Sequence, residues 1–474
     1  MHCETVSARS KTTYDERGRE AITSRIRQLI ILGVLSLPVA NLTAQPCPPV
    51  WDNTAGNPGM NSTVWSLAAA QEDTAVGPRL YVGGQFSTAG GALVRNIAAW
   101  DGHAWSPLGT GAQNGGTVHA IAVSNSIVYV GGAFGNMGGI PGTSRIAQWN
   151  GNAWSDVGGG MSQNNAGIRA FAFFQNNLYA GGFLNEIGGI VAHKLARWNG
   201  SAWSSLPGDP LGLTDVVHAL TVYDDGGGEA LYVGGSFNSA GGNANAANVF
   251  KWDGTTLQPL GRGANDDVEA FAFFNDELYC GGHFTQVTQT DGTVVAATKI
   301  AKWDGSAWSP VAGGLSNGIG FHVWSLAVFD DGNGPALFVG GQFNAAGSTT
   351  VLNIAKYDGT SWSEVGTASP LNGQVRALAA FDDGAGQSLY VGGTFTTNVA
   401  QPADRITAWR SFVPRGTGDI NNDGLLDGRD IPGFVDQVLL PDPLSNAHCA
   451  ADINQDTFVT TADLPLFITA LLGS

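Results

Sequence analysis

Residues 419–430 read Asp-Ile-Asn-Asn-Asp-Gly-Leu-Leu-Asp-Gly-Arg-Asp, placing oxygen-bearing side chains at the first, third, fifth, ninth and twelfth positions. Alternate residues of a tight twelve-residue loop can aim their oxygens at one centre. A hard cation that wants six to eight oxygen ligands suits such a loop, and the spacing points to calcium. Asp419, Asn421 and Asp423 offer side chains, Leu425 its carbonyl, Asp427 a water-mediated contact and Asp430 the closing carboxylate. The pattern returns with Asp452, Asn454, Asp456, the Phe458 carbonyl, Thr460 and Asp463. Thr457 stands there where the first loop has Gly424, so the sharp turn costs more and the second site is the weaker. One or two calcium ions are expected.

A second set of residues stands out against its surroundings. Trp65, His119, Arg169, His218, Glu269, Trp324 and Arg376 occupy one recurring position whose neighbours are Val, Ile, Ala, Ser and Leu. Indole rings beside guanidinium, imidazole and carboxylate groups suit sugar stacking or peptide anchoring. Companion positions carry Asn96, Arg145, Lys194, Asn248, Lys299, Asn353 and Arg405, each Asn, Lys or Arg. Together they read as a locally basic, aromatic face matched to an acidic polysaccharide or an anionic peptide. The alternative is that the first set plugs a channel and the second bonds backbone at strand starts.

The elements that must position them are legible. Leu80-Tyr81-Val82-Gly83-Gly84 recurs, lightly edited, from Val128, Leu178, Leu231, Leu278, Leu337 and Leu389. The copies lie roughly fifty residues apart, the period of a β-propeller with one blade per repeat. One repeat reads as four strands: an alternating apolar run, the Gly-Gly run, a run ending in Trp or Tyr, and a strand opened by a second aromatic, as at Trp154. Asp-Gly or Asn-Gly joins the last two, which suggests a hairpin with positive φ at both turn residues. Three Asp-Asp-Gly segments, at 224–226, 330–332 and 382–384, read as solvated turns rather than calcium sites.

The seventh repeat stops at Trp409 without its fourth strand, and Val50-Trp51-Asp52 at the other end supplies the missing pattern. The N-terminal segment is therefore expected to complete the last blade and remove an exposed sheet edge. The fold class is all-β: a seven-bladed β-propeller closed by an N-terminal strand, plus a small α-helical calcium-loop module at the C-terminus. Apolar, helix-compatible runs at 431–440 and 464–472 follow the two loops.

The repeats resemble the kelch β-propeller family over residues 47–412: an apolar strand ending in Gly-Gly, an aromatic-ended strand, a short turn and a Trp. They depart from it in the residue-then-Phe that usually follows Gly-Gly. The resemblance implies a binding scaffold more often than an enzyme. The tandem EF-hand-type loops with their helical runs resemble a type I dockerin over 419–474. That resemblance implies calcium-dependent docking to a cohesin-like domain or cell-surface scaffold. Gly428-Arg429 and Thr461-Ala462, at the positions that help choose partners in that family, differ between the copies.

A net charge of −17 argues against nucleic-acid binding through bulk charge. Arg25 and Arg27 precede an apolar run, 29–40, and small residues at 42–44; residues 1–44 read as a signal peptide, too short in its apolar part to span a bilayer. The protein is expected to be secreted, extracellular or at a cell surface of bacterial type, with no membrane span after cleavage. Residues 413–418 form a linker. Cys280 replaces an aliphatic residue on a strand and reads as a buried thiol, whereas Cys47 and Cys449 are free to pair in an exported protein.

Catalysis finds little support. The Gly-Gly pairs end strands, the histidines show no metal-ligand spacing, and Glu269 is the only acid of its set. Three readings follow: a secreted binding propeller tethered by a calcium module, a polysaccharide-active enzyme carrying the same module, or a purely structural surface protein.

Overall fold

A computed structural model describes residues 49–71, 77–161, 167–206, 215–316, 321–366, 371–383, 386–398, 401–410, 431, 434 and 463–472. The signal segment, Cys3, Cys47, Cys449, the linker and both calcium loops except Asp463 lie outside the described residues.

The unit Pro49–Ser411 is built of antiparallel sheets, and seven of them have four strands each. The fold is all-β and of the propeller type. The innermost strands are Val64–Ala70, Ala112–Ser124, Gly167–Phe174, Val216–Asp224, Val268–Phe274, His322–Asp330 and Val375–Asp382. Each packs on the next, and the seventh packs on the first. The core lies between sheets, in clusters that each join residues of two neighbouring sheets, such as Tyr232 and Leu278 or Val64 and Tyr390.

Val50–Asp52 pairs with Ile406–Arg410, Trp51 opposite Trp409. That is the register of Trp105 with Trp100 and Trp154 with Trp149 in the first two sheets. The Trp51 and Trp409 rings lie 5.1 Å apart, as do Trp303 and Trp308. The hydrogen bonds repeat too. Trp154 Nε1 donates to the Leu108 carbonyl of the preceding sheet at 2.8 Å, Trp51 Nε1 to Val365 at 3.4 Å, and Trp105 Nε1 to Ala55 at 3.0 Å. Asp52 and Arg410 form an ion pair across the same strands.

Each Gly-Gly pair meets two close approaches. A Cβ on the first glycine would touch the first strand of the next sheet: from Gly281, Val323 Cγ1 at 2.3 Å; from Gly392, Val64 Cγ1 at 2.4 Å. A Cβ on the second would run into a carbonyl of its own sheet, as Gly84 into Thr63 at 2.2 Å.

Two turn expectations need correction. In the Asx-Gly turns only the glycine is left-handed, with φ of 96° at Gly102 and 102° at Gly254. The Asx side chain instead caps the turn: Asp101 Oδ1 accepts from the backbone N–H groups of His103 and Ala104. Paired left-handed residues occur at other turns, Asn125–Ser126, Gln175–Asn176 and Asn275–Asp276. The Asp-Asp-Gly segments are not merely solvated. Asp225 binds Lys251, Asp331 binds Lys356 and Asp383 binds Arg410, and the last two carboxylates are buried.

In the C-terminal segment, Leu464–Leu472 is an α-helix, on the second expected run. Asp463 directly precedes it and is fully buried, and Phe467 stacks on Phe434 at 4.0 Å. Among the described residues no helix is long and apolar enough to cross a membrane. Cys280 is a buried free thiol, and burial raises its pKa well above the ordinary value.

Candidate functional site

All seven residues of the first set line a single cavity of about 290 Å³ among the innermost strands. The backbone explains how. In every four-stranded sheet the register between the first and second strands shifts across this position, from Val64 to Ser66, Val118 to Ala120, Ile168 to Ala170, Val217 to Ala219, Val268 to Ala270, Val323 to Ser325 and Val375 to Ala377. The residue between is the extra one of a β-bulge, unpaired across the ladder. A bulge re-aims its side chain, so here one polar or aromatic residue per sheet turns to the cavity, beside the small Ala or Ser that follows it, while the preceding Val or Ile stays in the core.

The cavity has two unlike parts. In one, the Arg376 guanidinium is held between two indoles, with Cζ 3.4 Å from the Trp324 ring and 4.4 Å from the Trp65 ring. Such a cation–π sandwich holds the charge while leaving the guanidinium edge for hydrogen bonds. Gln374 accepts from Nη2, and the buried Nε has no hydrogen-bond partner. Burial, with Arg169 adding repulsion, lowers the Arg376 pKa to about 10, so it stays cationic at neutral pH. His322 stacks parallel to Trp324 at 5.1 Å, and His119 meets Trp65 edge-on at 5.2 Å.

The second part is lined by His218 and Glu269, and further acids and imidazoles gather around them. His218, Asp267 and Glu269 each present a ligand atom, all within 4.8 Å of one another. Glu269 Oε2 lies 3.6 Å from His322 Nδ1, too far for a good hydrogen bond, and both atoms are buried without a hydrogen-bond partner. His283 stacks on His322 at 4.4 Å and contacts Asp266 at 3.2 Å. Burial, then the charges of Asp266 and Glu269, raise the Asp267 pKa to about 6. Burial also lowers His218, against the pull of Glu269, and holds His119 near 3 with help from Arg169 and Arg376.

The sequence reading missed Asp267, His322 and His283. Asp267 and His322 each sit two residues before a residue of the first set, Asp267 just ahead of its strand and His322 at the start of its own. That spacing was the available signal. Glu269 is thus not the only carboxylate at the site.

The companion set has a different task. All seven residues are left-handed, from φ 61° at Asn248 to 75° at Lys194. Each closes a loop through its backbone: the Asn96 N–H donates to Phe86 and its carbonyl accepts from Gly84. The three asparagines are buried, and each binds a carbonyl of the following sheet, as Asn96 Nδ2 to Gly116 at 2.9 Å. They add nothing to a basic face. Among the charged members, Lys299 Nζ donates to the His283 carbonyl at 2.6 Å. A groove of about 610 Å³ beside Arg95 and Gln113 holds no cluster of titratable groups.

The class defined by this fold is a β-propeller platform. No family model matches the chain, and no curated protein matches it. Among solved structures it is similar to the WD40 beta propeller domain of Doa1, at 10% identity over 77% of this chain and 97% of that one, with a TM-score of 0.41. It is also similar to the computationally designed Ika8 protein, at 16% identity over 74% and 97%, with a TM-score of 0.39.

Proposed function

We propose that this chain is a secreted binding protein: a seven-bladed propeller, sealed by Val50–Asp52, whose central cavity recognises an anionic ligand. A dockerin-like tail, loaded with calcium, attaches it to a cohesin-like or surface partner. The observation that carries the ligand reading is the Arg376 guanidinium fixed between Trp65 and Trp324 with its Nε unpartnered. A preoriented guanidinium recognises carboxylate or sulfate in a planar, two-pronged way. With the guanidinium lying against both indoles, charge rather than ring stacking alone selects the ligand. An acidic polysaccharide presents repeated carboxylates to such a site.

The test is a polysaccharide array probed with the full chain in calcium. Losing a charged hydrogen bond costs about 1.5–3 kcal/mol, so Arg376→Ala should weaken binding of acidic polysaccharides roughly 10- to 100-fold. Unchanged binding removes the site. A second reading, a polysaccharide-active enzyme, draws on the closeness of Asp267 to Glu269. Turnover abolished by Glu269→Gln would select it over simple binding.

A further inference from the structure

We infer that the acid and imidazole part of the cavity is a transition-metal site, with His218, Asp267 and Glu269 as ligands and zinc as the fitting ion. It shares the cavity with the anionic-ligand reading and goes beyond it.

The donor set decides the class of ion. One imidazole nitrogen and two carboxylate oxygens suit zinc and its neighbours, whereas calcium and magnesium prefer oxygen alone. Three protein ligands leave a fourth position open, and two of the three, His218 and Glu269, line the cavity. At zinc–ligand distances of about 2.1 Å, tetrahedral ligand atoms stand about 3.4 Å apart. Drawing in from 4.8 Å asks for a shift of about 1.4 Å, which side-chain torsions on Asp267 and Glu269 can supply.

The surroundings fit a cation. Asp267 directly precedes the strand Val268–Phe274, Glu269 is the bulge residue of that strand, and His218 comes from the bulge of the preceding sheet. Among the described residues no lysine or arginine nitrogen lies within 4.0 Å of either carboxylate. Glu269 Oε2 has no hydrogen-bond partner although its side chain is only 13% exposed. The two carboxylates are close and half-buried and repel one another, with Arg169 and Arg376 acting on Glu269 only from further off, and a divalent ion between them removes that repulsion. Ser236 Oγ, 3.3 Å from His218 Nε2, gives the imidazole the kind of outer partner that orients metal-bound histidines.

The experiment uses the full chain with calcium in excess, so that the oxygen loops of the tail are filled. Zinc is titrated calorimetrically and counted by mass spectrometry after dialysis, without polysaccharide. One zinc per chain is expected. His218→Asn and Glu269→Gln should each weaken it by more than the roughly 10- to 100-fold that loss of an outer-shell partner costs. Cobalt(II) in the unmutated chain should give the intense visible absorption of a four- or five-coordinate ion. A six-coordinate ion in an oxygen loop absorbs weakly. No zinc, zinc kept by both variants, or only the weak cobalt band would overturn the site. Polysaccharide binding is then measured with a chelator present, so either reading can fail alone.

Discussion

Replacing Gly392 by Ala tests whether the ring closes on itself. A Cβ at Gly392 would stand 2.4 Å from Val64 Cγ1 and 3.1 Å from Val64 Cβ, across the junction of the last sheet and the first. At Gly281, inside the ring, the corresponding distances to Val323 are 2.3 and 3.0 Å. Ordinary contact begins near 3.4 Å, so each substitution must move two sheets apart by about 1 Å. The obstructing methyl belongs to a β-branched side chain with little rotamer freedom. Overpacking of this kind costs about 1–3 kcal/mol. Against it stands a gain of about 0.4–1 kcal/mol from the stiffer unfolded chain, since neither glycine has a positive φ. The net expectation is a loss of about 1–2 kcal/mol for both variants, read from urea unfolding of the full chain by tryptophan fluorescence. In an open arrangement Val64 is not there, only the entropic gain remains, and Gly392→Ala becomes slightly stabilising. The sign of that one change therefore decides. A destabilised Gly281→Ala beside a neutral or stabilised Gly392→Ala refutes closure, and two neutral variants refute the packing argument itself.

Trp51→Ala should lower stability by about 2–3 kcal/mol, less than a fully buried tryptophan costs, and proteolysis should then release the N-terminal strand first; an unchanged urea midpoint counts against that strand's role. His119 is held near pKa 3 in the folded chain and sits near 6.5 when unfolded. Its contribution is thus present above pH 6.5 and lost as pH falls toward 3, because the unfolded chain takes up the proton first. His119→Gln should lose less stability than the parent between pH 7.5 and 4.5, and equal losses refute the assignment. Removing calcium should abolish protease protection of residues 419–474 and leave the propeller's tryptophan emission in place; protection that survives a chelator argues against calcium in the loops.

Much of the fold was legible because a propeller repeats its constraints. The Trp51 and Trp409 register could be read from the aromatic pairs at 100 and 105 or 149 and 154, since the same contact recurs and the odd copy announces what it lacks. The Asx-Gly turns misled for a local reason. Asp101 satisfies the turn N–H groups with its own carboxylate, so one left-handed glycine is enough. The bulges were not legible. A bulge is a relation between two strands, and the run Val268-Glu269-Ala270 alternates like any strand until its partner glycines are laid against it. The meeting of His218 with Asp267 was hidden for the same reason: they are neighbours through the packing of two sheets, not through chain spacing.

The bulge also explains why function can be sought in one place on so repetitive a molecule. Wherever a side chain serves the ladder or the sheet interface, its identity is constrained by a neighbour: valine or isoleucine against glycine, in five sheets indole against indole, and in three asparagine against the next carbonyl. A residue extruded from the ladder answers to no such partner, and its side chain is free to vary. Among these seven positions the chain places two indoles, two guanidiniums, two imidazoles and a carboxylate. A plug needs only bulk, and leucine or phenylalanine would fill the space without burying unpartnered nitrogen and oxygen atoms. Trp65 Nε1, His119 Nδ1, Glu269 Oε2 and Arg376 Nε are all buried without a hydrogen-bond partner. Each such atom costs about 1–3 kcal/mol when left unmet. A set of residues that carries this cost at its innermost face is better suited to meeting a ligand than to filling a hole.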